Sequence, residues 1–163
     1  MKVLPAMKPH ILVALLVCSL LAPPGMGQSQ PARQVDLYPA TFTLPPGYTY
    51  KDLHGCDTTE GSITRKGSSF QVRSTIGNLT GDCGDPSIRK RFYWYREQRI
   101  NGNEVHLSME KSRGVNTFWA TIIAPDNKLH YKQRANFSFP IGKATDLADV
   151  LLMFQTFRWK PIK

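Results

Sequence analysis

The positions of apolar side chains divide the chain into three regimes. Ile11 to Ala22 is a continuous apolar run of 12 residues. From Val35 to Phe139, short stretches alternate apolar and polar positions with period two, separated by Gly, Pro, Asn and Asp clusters. The period then changes to 3.6 over Leu147, Val150, Leu151, Phe154 and Phe157. Period two turns one face of a strand to a core and period 3.6 turns one stripe of a helix to it, so the pattern predicts strands first and a single helix last.

Thr41-Phe42-Thr43-Leu44 is the first strand candidate, and Pro45-Pro46-Gly47 ends it before Tyr48-Thr49-Tyr50. In Ser68 to Ile76, Phe70, Val72 and Ile76 fall on one side, with Gln71 and Arg73 on the other. Gly77 to Ser87 reads as turn or loop. Between Ile88 and Glu110, two alternating strands flank Asn101-Gly102, a pair suited to the positive φ angles of a type I′ turn. Pairing Ile100 with Asn103 sets Arg99 against Glu104, Glu97 against His106 and Trp94 against Met109. Ile88, Phe92, Trp94, Val105, Leu107 and Met109 then share the expected buried side; Arg89, Arg91, Tyr93, Tyr95, Glu97, His106 and Ser108 share the other.

A second hairpin is expected to join Val115–Ile123 to Leu129–Phe139 through residues 124–128, with Pro125 presetting the turn. Its returning strand places Leu129, Tyr131, Phe137 and Phe139 inward, and His130, Lys132, Arg134, Asn136 and Ser138 outward. The helix is expected over about 146–158, capped by Thr145, with Asp146 and Asp149 near the positive end of its dipole and Pro161 beyond it. A lone helix with one apolar face must cover something, and the sheet is available. The fold class is therefore α+β: an antiparallel, meander-like sheet of about six to eight strands, with room for strong curvature, packed against one C-terminal helix. This order of elements resembles lipocalin-type barrels and also small sheet-and-helix domains of the PsbP type, with Pro46-Gly47-Tyr48 as a further likeness. The lipocalin Gly-x-Trp is missing near the first strand, and no functional residue carries over from either.

The opening segment has the three parts of a secretory signal: Lys2, Lys8 and His10, then the apolar run, then Pro23 and Pro24 with Gly25 and Gly27 at the −3 and −1 positions. The run is too short for a hydrocarbon core of about 30 Å, which needs about 20 residues. Residues 1–27 are expected to be cleaved after Gly27, leaving a periplasmic or extracellular chain with no transmembrane segment. A lipoprotein signal at Cys18 is disfavoured by Val17 and by the apolar residues that continue beyond it. Residues 28–34 read as a loose polar leader and 35–163 as a single β-rich domain. Losing Lys2 and Lys8 from 21 basic side chains leaves 19 against 12 acidic ones, a net charge of +7. The partners this suggests outside the cytoplasm are anionic lipid, polysaccharide or acidic protein, set against a soluble basic protein with no anionic ligand. Export, more than charge, argues against nucleic acid.

Cys56 and Cys83 outlast the signal and are expected to form a disulfide, closing a loop worth roughly 3–4 kcal/mol in the chain-entropy model. A metal site on His54, Cys56 and Cys83 fits no paired-ligand spacing. Asn78-Leu79-Thr80 and Asn136-Phe137-Ser138 are glycosylation sequons.

Arg89-Lys90-Arg91-Phe92-Tyr93-Trp94-Tyr95-Arg96 mixes cations with aromatic rings, a composition that grips anionic or sugar ligands by ion pairing and stacking. The candidate binding face is Arg89, Arg91, Tyr93, Tyr95, Arg99 and His106; the competing reading is a central strand with Phe92 and Trp94 in the core. His54, His106 and His130 lie on separate segments with no nucleophile motif, which favours surface histidines. Asp57, Glu60, Asp82 and Asp85 converge only if a disulfide clips their loops, and a weak calcium site there is disfavoured. With no Gly-x-Gly-x-x-Gly and no phosphate loop, neither cofactor nor metal is expected. These features favour a secreted, non-enzymatic binding or accessory module that recognises an anionic or sugar-bearing partner. The alternative is a carrier of a small apolar ligand, with a cavity between sheet and helix lined by Trp94, Trp119 and Phe154. A hydrolase needs a convergent acid/base pair that the sequence does not display.

Overall fold

The computed structural model describes residues 32–53, 58–77, 82–125 and 133–161. In chain order they form β1 (Arg33–Asp36), β2 (Ala40–Leu44), β3 (Tyr48–Asp52), β4 (Thr59–Arg65), β5 (Gln71–Gly77), α1 (Pro86–Arg89), β6 (Trp94–Ile100), β7 (Asn103–Ser112), β8 (Val115–Ile123), β9 (Arg134–Pro140), α2 (Ala144–Thr156) and β10 (Arg158–Trp159). Seven strands make one antiparallel sheet in the order β3-β4-β5-β9-β8-β7-β6, and three make a second in the order β1-β2-β10. This is the expected α+β class. Among the described residues no helix is long and apolar enough to cross a membrane.

The β6–β7 hairpin has the predicted register: Trp94 faces Met109, Glu97 faces His106, Arg99 faces Glu104 and Ile100 faces Asn103. Asn101 and Gly102 both take positive φ, 54° and 78°, as a type I′ turn requires. The same device recurs at Arg113 and Gly114, with φ of 50° and 80°, so β7 continues to Ser112 and folds straight back into β8. β8 and β9 pair as expected, Phe118 opposite Phe139 and Ala120 opposite Phe137; residues 126–132, which hold His130, lie outside the description. β1 takes in Arg33 and Gln34, expected as leader, because they pair with Leu44 and Thr43.

Alternation puts Phe118, Ala120, Ile122, Ala135, Phe137 and Phe139 on one face of the large sheet, where α2 lays Val150, Met153 and Phe154 over them. Phe42, Phe137, Phe154 and Phe157 are all at most 2% exposed, and their rings meet at centroid distances of 5.0–6.1 Å. Burying each such ring stabilises the fold by about 1.5–3 kcal/mol. The helix starts two residues earlier than expected and lacks the Thr145 cap: Lys143 occupies the cap position with no side-chain bond. Its acidic first turn is instead tied to the sheet. Asp146, buried, lies 2.8 Å from Arg65 Nη2, and the Tyr48 hydroxyl donates to Asp149 over 2.8 Å. At the other end, Asn101 and Asn103 donate their side-chain amides to the carbonyl of Phe157.

The strand order imposes one long connection. β5 and β6 are four strand spacings apart, about 19 Å, so the chain between them must cross a face of the sheet. Since α2 occupies one face, the crossing segment runs over the other. That arm, residues 82–93, corrects the expected strand beginning at Ile88. Asp85 caps α1 by accepting from the Ser87 backbone N–H, and Pro86 stands at the first helical positions; together they turn residues 86–89 into a helical turn. Pairing resumes where Tyr93 N–H donates to the Met109 carbonyl.

Candidate functional site

The second face of the large sheet is read off from register and alternation. One row across it is Tyr95, Ser108, Trp119, Ser138 and Arg73; the next is Glu97, His106, Thr121, Asn136 and Thr75. Under a solvent-facing sheet these would all be wet. The arm instead covers the middle of both rows, leaving Ser108 and Thr121 almost wholly buried and His106 8% exposed.

Contacts made by Asp82 and Cys83 hold the start of the arm down. The Cys83 backbone N–H donates to Thr121 Oγ1 over 3.1 Å, and the Cys83 thiol donates to the His106 carbonyl over 3.2 Å. Asp82 Oδ1 lies 2.8 Å from His106 Nδ1 and also accepts from the Gly84 backbone N–H. Glu104 Oε1 lies 3.0 Å from His106 Nε2, so a carboxylate engages each ring nitrogen. Gly84 is required by contact: a Cβ there would stand 2.2 Å from His106 Nδ1 and 2.7 Å from the Tyr95 hydroxyl oxygen.

Between the arm and the sheet lies a cleft of about 170 Å³, lined by Cys83, Ile88, Arg91, Phe92, Trp119, Thr121 and Asn136. Ile88 and Phe92, expected to share the buried side with Trp94, are thus on the opposite face, because α1 and the crossing carry them there. Trp119 lines the cleft, and its indole Nε1–H is buried without a hydrogen-bond partner among the described residues. Arg91 is held at the rim: Nε and Nη2 donate to Glu110 over 3.0–3.3 Å while 59% of its side chain stays exposed.

The structure disperses the six predicted binding residues. Arg89 stacks its guanidinium 4.1 Å from the centre of the Tyr95 ring, and the Tyr95 hydroxyl donates to Glu97 over 2.7 Å. Burial, then that bond to Glu97, holds the Tyr95 phenol well above the usual range. Tyr93 is exposed, with its hydroxyl 3.4 Å from Asn116 Oδ1. Arg99 is exposed on β6, opposite Glu104. His106, expected as a surface histidine, is buried under the arm. Only Arg91 reaches the cleft, and the residues that sequence reasoning did not bring to it are Ile88, Phe92 and Trp119. The Asp85-Pro86 start of α1 was the signal that could have found the arm.

The disulfide expected at Cys83 is not formed in the structure: Cys83 is a buried free thiol, hydrogen-bonded to Thr121 and the His106 carbonyl, and burial pushes its pKa up, so it is protonated at neutral pH. It bonds a backbone carbonyl rather than an imidazole, so the pair is no nucleophilic dyad. Cys56, His54, Asp57 and the sequon Asn78 lie outside the described residues. Asn136, expected to point outward as a sequon, points away from the core but into the roofed cleft on a central strand. Asp82 and Asp85 are spent on His106, Gly84 and Ser87, and among the described residues no group of three His, Cys, Asp or Glu side chains could hold a metal ion. The proposed carrier cavity does not form from its three residues: Phe154 lies in the filled core and Trp119 on the opposite face.

We find no protein-family model and no curated protein that matches the chain. A solved structure from Bacteroides thetaiotaomicron VPI-5482 is similar at 12% identity and a TM-score of 0.47, covering 75% of this chain and 45% of that one. The chain thus spans less than half the length of that protein.

Proposed function

We propose that the protein is an exported, non-enzymatic binding module whose site is the cleft beneath the 82–93 arm. The observation that carries this is the lining itself: apolar walls from Ile88, Phe92 and Trp119 with a cation, Arg91, at the rim. Such a combination of an apolar floor and few polar groups suits capture of a small group by shape, with one charge fixing its orientation. It also retains the anionic or sugar-bearing partner expected from the Arg/aromatic segment, now as a chemical group seated between arm and sheet rather than a surface laid across an open strand. Anionic lipid, polysaccharide and acidic protein remain the classes of molecule that present such groups outside the cytoplasm.

The three tryptophans test the site directly. Trp119 lines the cleft, whereas Trp94 and Trp159 pack against the core from the other side. In a titration with ring-bearing fragments followed by the indole N–H resonances, the Trp119 signal is expected to move and the other two to stay. Phe92→Ala should weaken the response. Movement confined to Trp94 or Trp159 would place binding elsewhere and remove the proposal.

A further inference from the structure

We infer that the cleft takes a single planar, apolar ring carrying a carboxylate, a ligand of benzoate size. The inference rests on the proposed cleft and goes further in naming the class of ligand.

Size sets the first limit. A cavity of roughly 150 Å³ holds one benzene ring, and this cleft has about 170 Å³, so one ring fits. Polarity sets the second. Ile88, Phe92 and Trp119 supply much of the wall; Thr121 is committed, and the Trp119 indole N–H has no partner among the described residues. Thr121 Oγ1 accepts from the Cys83 N–H and donates to its sulfur over 3.3 Å. A pyranose, with hydroxyls on every side, would lose more water hydrogen bonds against those walls than the Trp119 N–H could replace. A flat apolar ring loses none and gains contact with an indole and a phenyl group.

Charge sets the third. Glu110 holds Arg91 by Nε and Nη2, which fixes the plane of the guanidinium. Of its five donors, those on Nη1 make no bond among the described residues, and a carboxylate at the mouth of the cleft meets them in the geometry that arginine favours. Arg73, exposed, lies two strands from Trp119 in the same row and adds positive potential on the open side. An ammonium in place of the carboxylate would face both cations.

The test uses the full chain and three probes: benzoate, benzyl alcohol and glucuronate. Benzoate is expected to saturate, with a Kd on the order of millimolar or tighter for so small a ligand, and to move the Trp119 indole resonance. Arg91→Gln should weaken benzoate about tenfold while leaving benzyl alcohol within about twofold. Glu110→Gln, which disturbs the same pair but keeps the cation, should bind benzoate at least as well as the natural protein. If benzyl alcohol binds as tightly as benzoate, or if glucuronate alone moves Trp119, the benzoate-sized carboxylate is wrong although the cleft stands. If none of the three reaches Trp119, this inference and the proposed site fall together.

Discussion

His106 Nδ1 lies 2.8 Å from Oδ1 of Asp82, and this contact joins the crossing arm to the row of Glu97, His106, Thr121, Asn136 and Thr75 on the sheet. Both groups are mostly buried, at 10% and 14% side-chain exposure, so neither finds water when the other is removed. Asp82→Ala is expected to cost about 1–3 kcal/mol of stability. Amide exchange should quicken in residues 82–93 well before the rest of the sheet. Uniform quickening, with the arm no different from β8, would show that the contact does not hold the arm.

Gly84→Ala tests the same arm by crowding. The added methyl would overlap the imidazole of His106 and the hydroxyl of Tyr95, and both are fixed by carboxylates. A loss of about 1–3 kcal/mol is expected, together with a changed Trp119 environment in fluorescence. A neutral substitution with an unchanged spectrum would contradict the close approach.

Asp146→Asn should destabilise the junction between α2 and β4 by about 1–3 kcal/mol, since it leaves the Arg65 guanidinium, beside Tyr48 and Phe70, with the longer 3.8 Å contact to Asp149 in place of the 2.8 Å pair. Urea midpoints for this variant and for Arg65→Met, which removes the cation as well, separate the two terms. Equal losses for both would argue against a cost from a cation left with its weaker partner.

Alkaline pH should weaken the fold. Burial raises the Cys83 thiol above its ordinary 9.0 and the Tyr50 phenol from 10.0 to about 12, and raises Tyr48 and Tyr95 further. Each folded group holds its proton more tightly than the unfolded one. The stability they contribute is therefore complete below about pH 9 and is lost as pH rises through the folded values. Denaturation midpoints measured from about pH 8 to about pH 11 should fall, and Tyr48→Phe should flatten the upper part of that slope. A flat profile would contradict the burial of these groups.

How much of this was legible depended on whether a local rule fixed the geometry. Asn101-Gly102 dictates its turn, and the turn dictates every pairing of β6 with β7, so that hairpin could be written out residue by residue. β4 had no such handle: Ile63 is its only apolar residue in the core, and Gly61 is there because the Tyr50 ring lies against it. The face assigned to His106 was right and its exposure was wrong, because alternation says which way a side chain points but not what lies above it. What lies above it is Asp82, Cys83 and Gly84, at the start of an arm whose later spacing of Ile88, Arg89 and Phe92 fits a strand as readily as a crossing turn.

Export is the remaining expectation open to a simple measurement. Expressed with its own N-terminus in a secreting host, the chain should be recovered without residues 1–27. An intact mass that retains them would remove the extracytoplasmic setting and leave the cleft to be tested as a site in another compartment.

The outer strands of the large sheet, β3 and β6, leave backbone donors and acceptors without a neighbour in that sheet. Those borders carry Lys51 and Asp52 on one side and Arg96, Glu97 and Arg99 on the other, all exposed. Any second chain adding itself there would have to bring these charges into register against its own, a built-in deterrent to fibril growth. Replacing Arg96 and Arg99 by valine should lift that deterrent, and the protein would then deposit as thioflavin-positive material under conditions in which the natural sequence stays dissolved.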